Sequence, residues 1–210
     1  MSTALPPALL FPGGSGFATS RLMLVADISN YTGNIGDAGV IALEAAGVAH
    51  VIVRISLEDA AREAITVEQL SALRARNVAV SGYIFPDYSR VPADYLAEVF
   101  NLAGEIRSLW LDLEPPGMPR FAAFHDWAIG ARAASRVPVG IYTAAWCVAQ
   151  IPDWGDISDF PLWAADHGPF KGLAVDFGGW TRAAGVQCAG SIPIGKVLCD
   201  LSWFDPVALG

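Results

Sequence analysis

The sequence predicts a mixed α/β fold, a (β/α) barrel that is irregular because its C-terminal part is poor in helix. Three observations carry this. Short apolar runs of five to seven residues alternate with stretches of helical pattern. The runs are apolar almost throughout, as parallel strands covered on both faces are. After about residue 150 the helical stretches give way to short strands with Gly- and Pro-rich links. Repetition of the strand–helix unit favours a TIM-like barrel over an open doubly wound sheet. The late change of pattern implies closure by antiparallel or weakly wound strands.

The elements follow in order. The first strand is 22–28 (LMLVADI), with a helix around 37–46. HVIVRI at 50–55 is rich in β-branched residues and reads as the second strand. TVEQLSALRAR at 66–76 reads as a helix, with Thr66 as N-cap and Gln69 three residues on as its capping-box partner. A strand at 78–85 precedes a helix at 92–103. SLWLDL at 108–113 is a strand stopped by Pro115 and Pro116. A helix at 121–135 and a strand at 137–142 (VPVGIY) complete the regular part. Short strands at 160–164, 186–189 and 196–203 follow. With no internal repeat and no long linker, 21–210 is expected to form one barrel domain behind a flexible arm at 1–20. That arm contains ALPPALLF, but no basic residue precedes Arg21, and Pro6 and Pro7 interrupt the apolar run, so it does not read as a signal peptide.

Composition agrees with a packed barrel. Hydrophobic residues make up 53% of the 210 and charged ones 16%, against a usual charged share of about 25%. Mean hydropathy is high at +0.41, yet no uninterrupted apolar run of about 18 residues exists to span a membrane. Thirteen basic against 21 acidic residues give a net charge of −8 with no basic run, which argues against a nucleic-acid partner. The three cysteines form no C-x-x-C pair, and the three histidines stand at no zinc-ligand spacing to them. No metal and no cofactor is expected.

Carboxylates at strand ends carry the strongest chemical signal. Asp27 closes the first strand, Asp112 and Glu114 lie in LWLDLEPP, and Asp200 interrupts the apolar run KVLCDLSWF. A lone acid after a strand is usually a cap or turn residue, and Asp27, followed by Ser29 and Asn30, fits that role as well. The D-x-E pair is harder to explain structurally. Residues i and i+2 of a strand share a face, so Asp112 and Glu114 point the same way, and like charges so close raise at least one pKa. Glycoside hydrolysis requires that combination, one protonated and one ionised carboxyl. Aromatic residues gather at the same ends: Tyr31, Tyr83, Phe85, Tyr88, Tyr142, Trp163 and Trp203, whose rings could stack on sugars. Trp110, Phe124 and Trp127 read as core.

Six motifs together resemble the lysozymes of glycoside hydrolase family 25, muramidases also found among phage endolysins. They are DISNYTG at 27–33, GYIF at 82–85, LDLEP at 111–115, GIYT at 140–143, PLWAAD at 161–166 and VQCAGSIPIGKVLCDLSWF at 186–204. The last resembles that family's closing hairpin. The resemblance implies an irregular β/α barrel and a β-1,4 bond between N-acetylmuramic acid and N-acetylglucosamine as substrate. By position it implies Glu114 as general acid. Asp112 would stabilise positive charge or orient the substrate's acetamido group. Asp27 and Asp200 would be the other acids of the pocket, and Tyr83 and Tyr142 substrate contacts. Trp163, Tyr31 and Phe85 join them as binding candidates on the aromatic pattern. The chain departs from the family at Thr32, where glutamine is common, at Ile84, where histidine is common, and at Val186-Gln187-Cys188, which stands for Trp-Gln-Tyr. If the closing hairpin turned at Pro193–Ile194, Cys188 and Cys199 would be opposite, giving a cross-strand disulfide or two buried thiols.

The implied partner is the peptidoglycan glycan strand, with other virion or wall-targeting proteins where the enzyme is carried in a phage particle or released to the wall. Two other readings compete. One is a catalytically weak or silent barrel serving as a glycan-binding or virion structural module. The other is an unrelated barrel hydrolase using the same acids on another glycan.

Overall fold

The structure is a computed structural model that describes residues 22–115 and 119–210; the arm expected at 1–20 lies outside them. Among the described residues, ten strands and five α-helices run in the order β1 (Met23–Ile28), α1 (Gly36–Ala45), β2 (His50–Arg54), α2 (Ala60–Ala75), β3 (Ala79–Ile84), α3 (Pro92–Ala103), β4 (Leu109–Asp112), α4 (Phe121–Ala134), β5 (Val139–Thr143), α5 (Ala145–Val148), β6 (Leu162–Ala165), β7 (Ala174–Phe177), β8 (Trp180–Arg182), β9 (Gly185–Ile194) and β10 (Val197–Phe204). Eight strands close a barrel in the order β1-β10-β9-β6-β5-β4-β3-β2, and β7–β8 form a separate hairpin. Every barrel pair from β1 through β6 to β9 is parallel, while β10 runs antiparallel to both β9 and β1. This is the irregular α/β barrel the sequence predicts, with its closing seam at the antiparallel strand.

The near-continuous apolar strands are explained by two cores. Outward residues such as Ala26, Val51, Val53, Leu109, Leu111 and Ile141 pack with Val40, Leu43, Leu70 and Phe124 of the helices. Inward residues Val25, Ile52, Trp110, Tyr142, Trp163 and Phe204 fill the barrel, so its centre is a solid aromatic plug. Gly140 and Gly185 make room for it: a Cβ on either would press into the Trp110 or Phe204 ring. Beneath the plug the inward positions are polar, with His50 Nε2 2.9 Å from Ser81 Oγ and Ser81 Oγ 2.7 Å from Ser108 Oγ. Burial pushes the His50 pKa down to about 4, so it stays neutral.

Three sequence expectations need correction. The helix expected at 66–76 begins six residues earlier, because Asp59 caps it by accepting from the Ala61 and Arg62 amides. Thr66 and Gln69 therefore form no capping box. Both are buried on the inner face, where Thr66 Oγ1 donates to Arg54 O and Gln69 Nε2 donates to Ser29 O and Gly33 O, each at 2.8 Å for the glutamine. The true capping box is Ser29 with Thr32, on the short 3-10 turn Asn30–Thr32. Finally, the β9–β10 hairpin turns after Ile194, not at Pro193–Ile194. Ile194 pairs with Val197, and Cys199 faces Ile192. Cys188 is thus displaced along the strand, and all three cysteines are free and buried.

Candidate active site

The inward faces of β1, β2 and β4 end in charged residues at the C-terminal rim, and these residues converge. Asp27 closes β1, Arg54 closes β2 and Asp112 closes β4, with Glu114 two residues beyond. Asp200 reaches the same place from the antiparallel β10, as the direct cross-strand partner of Asp27. A bulge aims it there: between the pairs Cys199–Ile192 and Leu201–Ala189, two residues of β9 oppose Asp200 alone. Asp200 Oδ1 accepts the Ser191 amide at 2.6 Å, and Ser191 holds a left-handed φ of 57°.

All four acids surround Tyr142. Burial and their negative charges together raise its hydroxyl pKa, Glu114 acting most strongly among them. Burial also dominates at the acids themselves. Asp27 is 7% exposed and Asp112 4%. Burial first, then Asp200, pushes Asp27 well above the usual carboxylate range, with Gln187 opposing. Burial and then Glu114 do the same to Asp112, with Arg54 opposing. Glu114 is less buried and is raised by burial, while His167 and the Tyr142 hydroxyl act against the shift and Asp200 adds to it. The Asp112 Oδ1 atom is buried without a hydrogen-bond partner.

Two cavities open from this cluster. One of about 530 Å³ is lined by Asp112, Glu114, Arg54, Phe85, Tyr88 and Asp87, among others. A second of about 180 Å³ is lined by Asp27, Asp200, Tyr83, Tyr31, Ser29 and Leu198, among others. The acid pairs thus face two lobes of one rim. Phe85 carries the Arg54 guanidinium 4.6 Å over its ring, and Arg54 is also paired with Glu58. Tyr88 packs edge-on against Trp127, whose indole Nε1 donates to Asp87 O and Arg90 O and so anchors the loop after β3.

The aromatic candidates separate by depth. Tyr31 is 78% exposed and Phe85 38%, both on cavity walls. Tyr83 is half-buried and lines the smaller cavity. Tyr142 is buried among the acids. Trp163 is 1% exposed and lies one layer lower, its Nε1 donating to Ser202 Oγ at 3.0 Å and its ring 4.4 Å from Tyr142 and 6.3 Å from Tyr83. It supports the two tyrosines from beneath. Trp110, Phe124 and Trp127 are core residues, as expected.

Sequence reasoning missed Arg54, Gln187 and His167. Gln187 links the site: its Nε2 donates to Asp27 Oδ2 at 3.1 Å and toward Asp200 Oδ2 at 3.4 Å, and its Oε1 accepts from Tyr142 at 2.9 Å and meets His167 Nε2 at 2.7 Å. Among the described residues no group of three or more His, Cys, Asp or Glu side chains is placed to hold a metal ion, and no helix is long and apolar enough to cross a membrane.

No family model matches the chain, and no curated protein matches its sequence. Solved structures do match. The catalytic domain of endolysin ply40 from bacteriophage P40 of Listeria monocytogenes aligns with a TM-score of 0.62 at 17% identity, over 93% of this chain and 97% of its own. A family GH25 lysozyme from Aspergillus fumigatus aligns with a TM-score of 0.67 at 15% identity, over 87% and 93%. The modular autolysin LytC of Streptococcus pneumoniae, solved in complex with a synthetic peptidoglycan ligand, gives a TM-score of 0.72 at 16% identity, over 90% of this chain. The chain spans about half the length of that autolysin, 48%. The barrel fold is accordingly shared with these proteins, and the chain has the fold of the glycoside hydrolase family 25 lysozymes.

Proposed function

We propose that the protein is a peptidoglycan hydrolase, a muramidase cleaving the β-1,4 bond between N-acetylmuramic acid and N-acetylglucosamine. The observation that carries this is the convergence of Asp27, Asp112, Glu114 and Asp200 around Tyr142, beside an open groove at the barrel rim. The fold shared with family GH25 lysozymes supports the same activity.

Glu114 is the general acid. It is the acid of the D-x-E pair with more access to the groove, and burial raises its pKa so that it keeps a proton to higher pH. It gives that proton to the glycosidic oxygen as the bond to the anomeric carbon breaks. Water then supplies a hydroxyl to that carbon and its remaining proton restores Glu114. Asp112, deeper and with Oδ1 unpaired, faces the positive charge that develops on the sugar ring or holds the acetamido group against it. Asp27 and Asp200 form the floor on the other side. Tyr83, Tyr142, Tyr31 and Phe85 contact the glycan, and Trp163 contributes by holding the tyrosines. The 21–210 segment acts as one catalytic domain, and a phage particle or a released lysin is the setting that the endolysin likeness favours.

Purified protein on cell walls of several chemotypes tests this, beside Glu114→Gln. New reducing-end muramic acid from the wild type, reduced about 10²–10⁴-fold in the variant, is the expected result. No release from any wall removes the enzymatic assignment and leaves a glycan-binding barrel. A fully active variant removes Glu114 from the acid role.

A further inference from the structure

We infer that His167 is a positioning residue: it donates its Nε2 proton to Gln187 and so fixes that amide with its N–H groups toward Asp27 and Asp200. The effect on rate rests on the muramidase activity proposed above; the hydrogen-bond direction does not.

The position of His167 is built into the backbone. It follows β6, and the residues on either side of it are pinned to β9: the Asp166 amide donates to Gln187 O at 3.0 Å and the Gly168 amide to Cys188 O at 2.8 Å. His167 is an exposed residue, yet its Nε2 reaches the buried Gln187 Oε1 at 2.7 Å, shorter than the other side-chain hydrogen bonds of Gln187. The facing titratable groups are Glu114 from beyond β4, Tyr142 of β5, and Asp200 of β10 across Gly190, with Asp27 of β1 behind Gln187.

A glutamine amide fits its density of partners in two orientations, and the partners decide between them. Tyr142 can donate or accept, so it tolerates both. Asp27 holds its proton well above the usual range, and a protonated carboxyl can donate to an amide oxygen as readily as its ionised form accepts from an amide N–H. Asp200 Oδ2 is the most distant partner at 3.4 Å. His167 discriminates, because an Nε2–H can pair only with an oxygen. With that proton in place, Gln187 must turn its N–H groups to the two carboxyls. The Asp27–Asp200 pair then keeps a shared donor whichever of the two is ionised, and the floor of the site can hold a negative charge while the sugar becomes positive. Without the lock the amide can flip and present oxygen to that charge.

Long-range proton–nitrogen NMR of the uncomplexed protein, at a pH where the imidazole is neutral, reads the tautomer directly. A protonated Nε2 with a bare Nδ1 is expected; the opposite tautomer overturns the inference. In kinetics, His167→Leu is expected to lower kcat about tenfold with KM changed less than about twofold, and His167→Gln, which can still donate an N–H, to recover most of the loss. Melting temperatures of both variants separate this from unfolding. A leucine variant with full kcat, or a glutamine variant no better than leucine, overturns the positioning role. If the wild type cleaves no wall, the muramidase assignment fails, and the tautomer together with the shift of the Gln187 side-chain amide signal in His167→Leu still decides the lock.

Discussion

Asp27 on β1 and Asp200 on β10 are direct cross-strand partners, with the amide of Gln187 within hydrogen-bond reach of both. Like charges placed opposite each other on neighbouring strands oppose folding. Here the pair is at the rim of the aromatic plug, where burial first and Asp200 second raise the Asp27 pKa.

Stability should therefore fall as pH rises. Asp27 and Asp112 are raised in the folded state, so the fold holds protons that the unfolded chain releases. Their contribution is complete below the unfolded value of about 4 and is lost as pH climbs toward the folded values. Asp27→Asn removes one buried charge while keeping the shape. It is expected to gain about 1 kcal/mol at pH 7, or about 2–4 °C in Tm for a chain of this size, with no gain at pH 4. Thermal melts across that range check it, and activity should drop in the same variant.

With Glu114 in the acid role proposed above, the alkaline limb of kcat/KM reports the loss of its proton. The Tyr142 hydroxyl favours ionised Glu114, against the effect of burial. Tyr142→Phe is expected to move that limb to higher pH even as the maximum rate falls. A limb that stays in place or moves down would separate Tyr142 from Glu114.

Gln69 ties α2 to the loop after β1, holding Ser29 O and Gly33 O on either side of Tyr31. Gln69→Leu leaves two carbonyls to find new partners. A loss of about 1–3 kcal/mol is expected, with KM rising more than kcat falls, because the exposed Tyr31 wall of the smaller cavity is loosened. Denaturant titration and steady-state kinetics measure the two effects.

Burial holds the Cys188 and Cys199 thiols at a pKa of about 12, and Cys147 is buried as well. None should react with a thiol reagent in the native protein, and all three should react in denaturant. Mass should be the same with and without reductant.

Much of this site was legible in the sequence. A polar residue closing an apolar strand run marked Asp27 and Asp112, and alternation put Glu114 beside the latter. Arg54 carries the same mark at the end of HVIVR, yet a charge at a strand end has too many ordinary roles to single it out. Gln187 lay inside the closing motif, but its importance arises from partners as far as 160 residues away. His167 follows a strand in an irregular stretch with no periodicity to place it. The cysteine register failed for a local reason: a turn moved past Ile194 and two register shifts, one at Asp200 and one at Cys188, change the pairing, and none leaves a trace in hydrophobic pattern. The β7–β8 hairpin was missed because its residues are largely outside the core.

The antiparallel closure of the barrel has a consequence for a growing chain. By the time β6 leaves a ribosome, Asp27, Asp112 and Glu114 have all been made, but β1 has only β2 beside it and still lacks its second neighbour, β10. Asp200 and Gln187 arrive only with the last two strands, and the same strands close the seam. The four-acid rim is therefore complete only once β10 has been made.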